Sequence, residues 1–193
     1  ELAWTSIAAF EHLYIEALHG RGRVAPSFGV DPLPLAGAPG GAILSPQPGL
    51  YDDVLVFDFQ SLYPSIMRSF NIDPAGYVPP AAIAGLSAEA HAQLIRAPNG
   101  ACFRREPGIL PQLLDRFFER REQAQAAGDR VASFVYKIIM NSFYGVLGAR
   151  GCRFAGSALA GAVTSFGQRI LSWCRGLLER HGWRKVVPRP RHP

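Results

Sequence analysis

The chain has 193 residues, 48% of them hydrophobic, enough for one or two compact units with a true core. Its 20 Lys and Arg against 15 Asp and Glu give a formal charge of +5, a balance that permits a nucleic-acid partner without requiring one. Cys102, Cys152 and Cys174 form no CxxC pair and the five histidines show no ligand spacing, so neither a disulfide framework nor a zinc site is suggested. No apolar run reaches the roughly 20 residues that span a bilayer.

Residues 4–20 carry helical spacing, with Ile7, Phe10, Leu13, Tyr14 and Leu18 on one face and Gly20 at the end. The chain opens at Glu1, already inside this amphipathic segment, which leads us to expect a piece of something longer. From Val24 to Gly49 it is rich in Pro and Gly and reads as an extended loop. The run YDDVLVFDF over 51–59 is short, apolar and β-branched, which predicts a buried strand. A turn and a helix beginning near Pro64 follow, because proline suits a first helical turn.

Residues 74–108 are mixed and predict no element. Two strong helices come next. The first spans about 110–127, with Leu110, Leu113, Leu114, Phe117 and Phe118 as its stripe and Gly128 beyond it. The second spans about 129–147, with Val135, Ile138, Ile139, Ser142, Phe143 and Val146 on one face. The short connection makes them an antiparallel hairpin. A last helix over about 156–181 is dense in Ala158, Ala160, Gly161 and Ala162, so it is expected to pack closely on a neighbour. The ending VVPRPRHP holds three prolines and continues neither a helix nor a central strand.

Three constellations carry chemistry. Asp58 lies near the end of the predicted strand, sharing a face with Val54 and Val56 by the two-residue period. A carboxylate there is costly unless compensated, and a metal ion is a common compensator; a strand-end aspartate capping the next turn fits the same position. On the predicted helix over 129–147, Lys137, Asn141 and Tyr144 fall at i, i+4 and i+7. A solvated face satisfies that spacing too, although such faces favour Lys and Glu over Asn and Tyr. Arg121 extends the apolar stripe of the preceding helix, whereas Arg116 and Arg120 fall off it.

The run DFQSLYPSI over 58–66 resembles motif A of the family B DNA polymerases, and KIIMNSFYG over 137–145 resembles their finger motif. Leu110–Pro111 with Arg121 ten positions after the proline resembles a third family feature. The likeness covers most of the chain, is weakest over 79–105, and looks nearest to the bacterial polymerase II branch through RGRVAP, PGLYDDVLVFDF, KIIMNSFYGVLG and CRF.

The resemblance implies that Asp58 binds catalytic Mg²⁺, assisted by the Phe59 backbone carbonyl. It implies that the Ser61 and Leu62 backbone N–H groups meet the incoming triphosphate, as donors at a turn entering a helix can. Tyr63 becomes the gate that fills the space of a ribose 2′-hydroxyl, with plain core packing as the alternative. Arg121 and Lys137 neutralise the triphosphate, Asn141 supports the same site, and Tyr144 with Gly145 abuts the nascent base pair. Gln125 stands where the family often carries a lysine, which puts one phosphate contact in doubt.

The implied fold class is α+β: a partial polymerase palm of few strands with an antiparallel two-helix fingers hairpin. The expected divisions are an N-terminal helix and loop over 1–49, palm with motif A over 50–78 and a variable connection over 79–105. Fingers over 106–148, a palm helix and the start of a strand over 149–187 and an aberrant tail over 188–193 complete them. The implied partners are primer–template DNA and a dNTP, no membrane, and a sliding clamp as a candidate partner of a full-length member. The implied location is bacterial cytoplasm, at the nucleoid.

Two-metal phosphoryl transfer needs a second carboxylate beside the first. The family supplies it from a Tyr-Gly-Asp-Thr-Asp-Ser hairpin following the stretch that here reads HGWRKVV, and this chain reads PRPRHP instead. The tail is expected to reflect a truncated or shifted reading, and the chain alone is expected to be inactive. Asp52 and Asp53 do not substitute: at ~3.3 Å per residue they stand roughly 16 Å from Asp58 along an extended chain. A non-catalytic nucleotide- or DNA-binding remnant, or a pseudogene product, is the alternative.

Overall fold

The computed structural model describes residues 6–27, 41 and 48–183. Helix α1 (Ser6–His19) buries Phe10, Tyr14 and Leu18, the i, i+4, i+8 set of the predicted face. These rings interlock with later parts of the chain: Phe10 meets Phe143 edge-on at 5.2 Å and Tyr14 meets Phe154 at 4.5 Å between centroids. Glu11, near the middle of the helix, accepts from the Arg153 backbone N–H (2.7 Å) and Nε (3.1 Å).

The predicted strand over 51–59 is not formed. The segment is irregular and solvent-facing, with Val56 81% and Phe57 75% exposed. A strand exists only through its hydrogen-bonded neighbours, and none of the described strands lies beside this segment. β-Branched composition marks what such a segment could bury, not whether anything covers it. Of the predicted loop over 24–49, only residues 24–27, 41, 48 and 49 are described, and they are irregular. The predicted tail over 188–193 lies outside the described residues.

The sheet comes instead from the stretch that predicted nothing. A 3₁₀ turn (Pro74–Gly76) leads into β1 (Tyr77–Val78); short helices α3 (Pro80–Ile83) and α4 (Ala88–Ala92) follow, then β2 (Ile95–Arg96) and β3 (Cys102–Phe103). The strands run antiparallel in the order β1–β3–β2, with Phe103 opposite both Tyr77 and Ile95. Strands of two residues are too short to show a period, so their pairing is set by the turns between them.

Helix α2 (Leu62–Ser69) starts two residues before the predicted Pro64, which occupies its first turn, where a missing N–H costs nothing. Helices α5 (Ile109–Ala126) and α6 (Arg130–Leu147) form the predicted hairpin. Gly128, at φ 72°, makes the left-handed reversal between them, and Asp129 caps α6 by accepting from the Ala132 N–H at 2.9 Å. On α5, Leu110, Leu113 and Leu114 are buried as predicted, with Phe117 and Phe118 packed against the core.

The predicted face of α6 is buried only toward its C-terminal end. Phe143 and Val146 of that face are buried and Ile139 packs against the core, whereas Val135 and Ile138 are 46% and 51% exposed; Met140 and Leu147, outside the predicted set, are buried as well. Residues 131–140 are apolar around most of the circumference, so periodicity alone does not choose the face; the surfaces of α1, α2 and α5 do. Helix α7 (Ser157–Arg180) buries Ala160, Gly161, Ala162, Val163 and Gly167 against α2 and α6. Its small residues give the close approach expected of them, with Phe166 stacked on Phe70 at 3.8 Å.

One polar knot locks the base of the hairpin. Asp73 accepts from the Tyr14 hydroxyl (2.9 Å), the Leu110 N–H (2.8 Å) and the Gly76 N–H (3.0 Å). Asn71, at φ 50°, donates from Nδ2 to the Arg104 and Glu106 carbonyls, each at 2.8 Å, and accepts from the Gly108 N–H at 2.9 Å. A Cβ on Gly108 would stand 2.7 Å from that of Asp73, so only glycine fits.

Candidate active site

Three segments converge on one groove. Its volume is about 500 Å³, and it is lined by Asp58, Phe59, Gln60, Ser61, Leu62 and Tyr63, by Arg121 of α5, and by Lys137 and Asn141 of α6. The knot at Asp73 fixes where α5 begins, and the α5–α6 hairpin then carries Arg121 and Lys137 across the start of α2.

Ser61 precedes α2 in the left-handed region (φ 52°, ψ 53°), an uncommon state for a residue with a side chain. Its hydroxyl does not cap the helix; it accepts from Arg121 Nη1 at 3.3 Å. The first-turn N–H groups of α2 therefore lack a cap from the Ser61 side chain. Arg121 Nε is buried and meets no hydrogen-bonding partner among the described residues. A buried donor left unmade costs about 1–3 kcal/mol, a cost that an anion in the groove would offset. Two turns along α2, the Arg68 guanidinium pairs with Asp115 and lies 5.0 Å above the Phe118 ring, bracing α2 against α5.

Tyr63 lines the groove with its ring against Tyr144, centroids 4.4 Å apart and planes at 47°. Burial, then the nearby Tyr63, holds the Tyr144 phenol above its usual range, so it stays a hydroxyl at neutral pH. Gly145 lies on the exposed side of α6 with open space where a Cβ would be; it does not line the groove. Gln60, which the sequence did not single out, does line it, and its carbonyl accepts from Ser65 Oγ at 3.3 Å.

Asp58 and the Phe59 carbonyl supply hard oxygen donors of the type magnesium takes, usually as one or two carboxylates completed by water and phosphate. Among the described residues no three acidic, histidine or cysteine side chains cluster as a metal site. Among the described residues Asp58 is the one carboxylate lining the groove, and Asp52 and Asp53 do not line it. The residues fit such an ion in donor type and supply half of a two-carboxylate set.

The family follows from comparison with known proteins. The profile of DNA polymerase family B matches residues 10–191. The chain belongs to that family. It is 41% identical over 178 residues to DNA polymerase II of Escherichia coli strain K12, covering 92% of this chain and 22% of that protein. It is 34% identical over 154 residues to the DNA polymerase alpha catalytic subunit of Drosophila melanogaster, covering 73% and 10%.

Among solved structures, it resembles the family B DNA polymerase of the hyperthermophilic archaeon Pyrobaculum calidifontis, with a TM-score of 0.67 and 30% identity. That match covers 92% of this chain and 24% of the archaeal one. The chain thus spans under a quarter of the length of each relative. Among the described residues, no helix of this family B chain is long and apolar enough to cross a membrane.

Proposed function

We propose that these residues form the nucleotide-binding part of a DNA-directed DNA polymerase, which adds deoxynucleotides to a primer 3′-hydroxyl. The observation that supports this reading best is the groove itself. It gathers Asp58, the start of α2, Arg121 and Lys137 from segments about 60 and 80 residues apart in the chain. No structural need of the core requires a carboxylate, two cations and uncapped N–H groups to share one exposed cleft.

In this reading the triphosphate lies across the start of α2, taking hydrogen bonds from the Ser61 and Leu62 N–H groups. Arg121 and Lys137 neutralise its charge, with Arg121 presenting a planar fork to the phosphate oxygens. Asn141 orients the same end of the nucleotide. Tyr63 sits under the sugar and excludes a 2′-hydroxyl, while Tyr144 and Gly145 adjoin the base pair being formed. The primer 3′-oxygen bonds to the α-phosphorus as the α–β phosphoanhydride breaks, and pyrophosphate leaves.

Asp58 and the Phe59 carbonyl would hold Mg²⁺, which when bound stabilises charge on the phosphoryl group. Primer–template DNA and a dNTP are the partners of this reading. On it, residues 50–78 belong to a palm and 106–148 to fingers.

Calorimetric binding of dATP in magnesium buffer tests it. Wild type binds, and Lys137→Ala and Arg121→Ala each weaken binding by roughly 10- to 100-fold, the loss expected for a charge-assisted contact of about 1.5–3 kcal/mol. Unchanged affinity in both variants would overturn the assignment of the groove.

A further inference from the structure

Tyr63 is enclosed on more sides than its role in the groove requires. Tyr144 of α6 lies against its face at 4.4 Å. Gly167 of α7 lies at its edge: a Cβ there would be 3.5 Å from Tyr63 Cε1, an ordinary contact. At the tip of the ring stands Gly41, where a Cβ would be 3.1 Å from the hydroxyl oxygen. Gly41 is exposed. A side chain at this position would enter the space beside the Tyr63 hydroxyl.

We propose that Gly41 is a specificity-determining position for the sugar of the bound nucleotide. Its missing side chain gives the Tyr63 hydroxyl its place, and a side chain there changes which sugar the groove accepts. The inference rests on the reading of Tyr63 as the sugar gate. A methyl group at 41 obliges the hydroxyl to give way by a few tenths of an ångström. With Tyr144 on its face and α7 at its edge, the ring passes that shift on to the groove it lines. Residue 41 thereby acts on sugar choice while touching no nucleotide itself.

The test compares dATP, ATP and inorganic tripolyphosphate binding to the 193-residue chain, as wild type, Gly41→Ala, Gly41→Val and Tyr63→Ala. Tyr63→Ala narrows the preference for dATP over ATP. Gly41→Ala shifts that ratio by about fivefold, below the ~100-fold that a full ~1 Å misplacement costs a reacting centre, and Gly41→Val shifts it further. Tripolyphosphate, which has no sugar, binds wild type and both Gly41 variants alike, and this also reports that the variants are folded.

Wild-type ratios in both Gly41 variants, with an altered ratio in Tyr63→Ala, would overturn the inference and leave the gate standing. A Gly41 variant that loses tripolyphosphate as much as dATP would overturn it also, since the effect would then be structural. An unaltered ratio in Tyr63→Ala would remove the gate reading and this inference with it.

Discussion

Asp73 is 1% exposed and surrounded by donors: the Tyr14 hydroxyl and the Leu110 and Gly76 N–H groups. Burial is the largest influence on it and holds its carboxyl above the ordinary value of 3.8, although each of those hydrogen bonds pulls the other way. The sign of the linkage follows. A carboxyl whose folded-state pKa is raised contributes stability that is fully present below 3.8 and is lost as pH rises through the folded value. Thermal melts from pH 3 upward should therefore show wild type losing ground to Asp73→Asn as pH climbs past 3.8. Parallel curves would mean that Asp73 titrates as it does in the unfolded chain. Nothing in the run NIDP announced this knot, because it depends on Tyr14 and Gly108 arriving from 59 and 35 residues away.

The α6 helix shows at the scale of an element how much periodicity leaves undecided. Its position and the Gly128 turn were legible, since each is a local choice with a local cost. The buried face was legible only in part: Phe143 and Val146 are buried as expected, but Val135 and Ile138 are not, because apolar residues occupy more of the helix than its neighbours cover. Leu147→Ala should cost about 2–5 kcal/mol of unfolding free energy, the range for a buried leucine. Ile138→Ala, half-exposed, should stay within roughly 0.5 kcal/mol. Denaturant unfolding of the two variants decides between the faces, and equal losses would return Ile138 to the core. On the polar side of the same helix, Lys137 and Asn141 do reach the groove, and Tyr144 reaches Tyr63. Gly145, one residue on, lies on the exposed side outside the groove lining, as the 100° step between neighbours allows.

Over the whole molecule, the exposed run from Val54 to Phe57 and the single carboxylate of the groove are connected. Both lie on the segment that leads into α2, and this segment finds no strand to pair with among the described residues. A lone extended segment gains no ladder, and a lone carboxylate cannot clamp both the attacking and leaving oxygens of a phosphoryl transfer. We therefore predict that these 193 residues bind a nucleotide without incorporating it. Extension of a labelled primer on a template, assayed with the purified chain and magnesium, should give no product, and templated extension would refute the prediction.

The family, the main helices and the hairpin turn were readable in the chain alone. That is because motifs of contiguous residues and helical periods are local properties, fixed by covalent neighbours and by the geometry of one helix. The convergence of Asp58, Ser61, Arg121 and Lys137, the burial of Asp73 and the exposure of the Val135 end of α6 required the folded chain. The tertiary structure also decided that the apolar run over 51–59 stays uncovered while residues 77–103 supply the sheet. Those outcomes depend on which surfaces arrive from far along the chain. Burial and strand pairing are properties of two partners at once, and a reading of one segment holds only one of them.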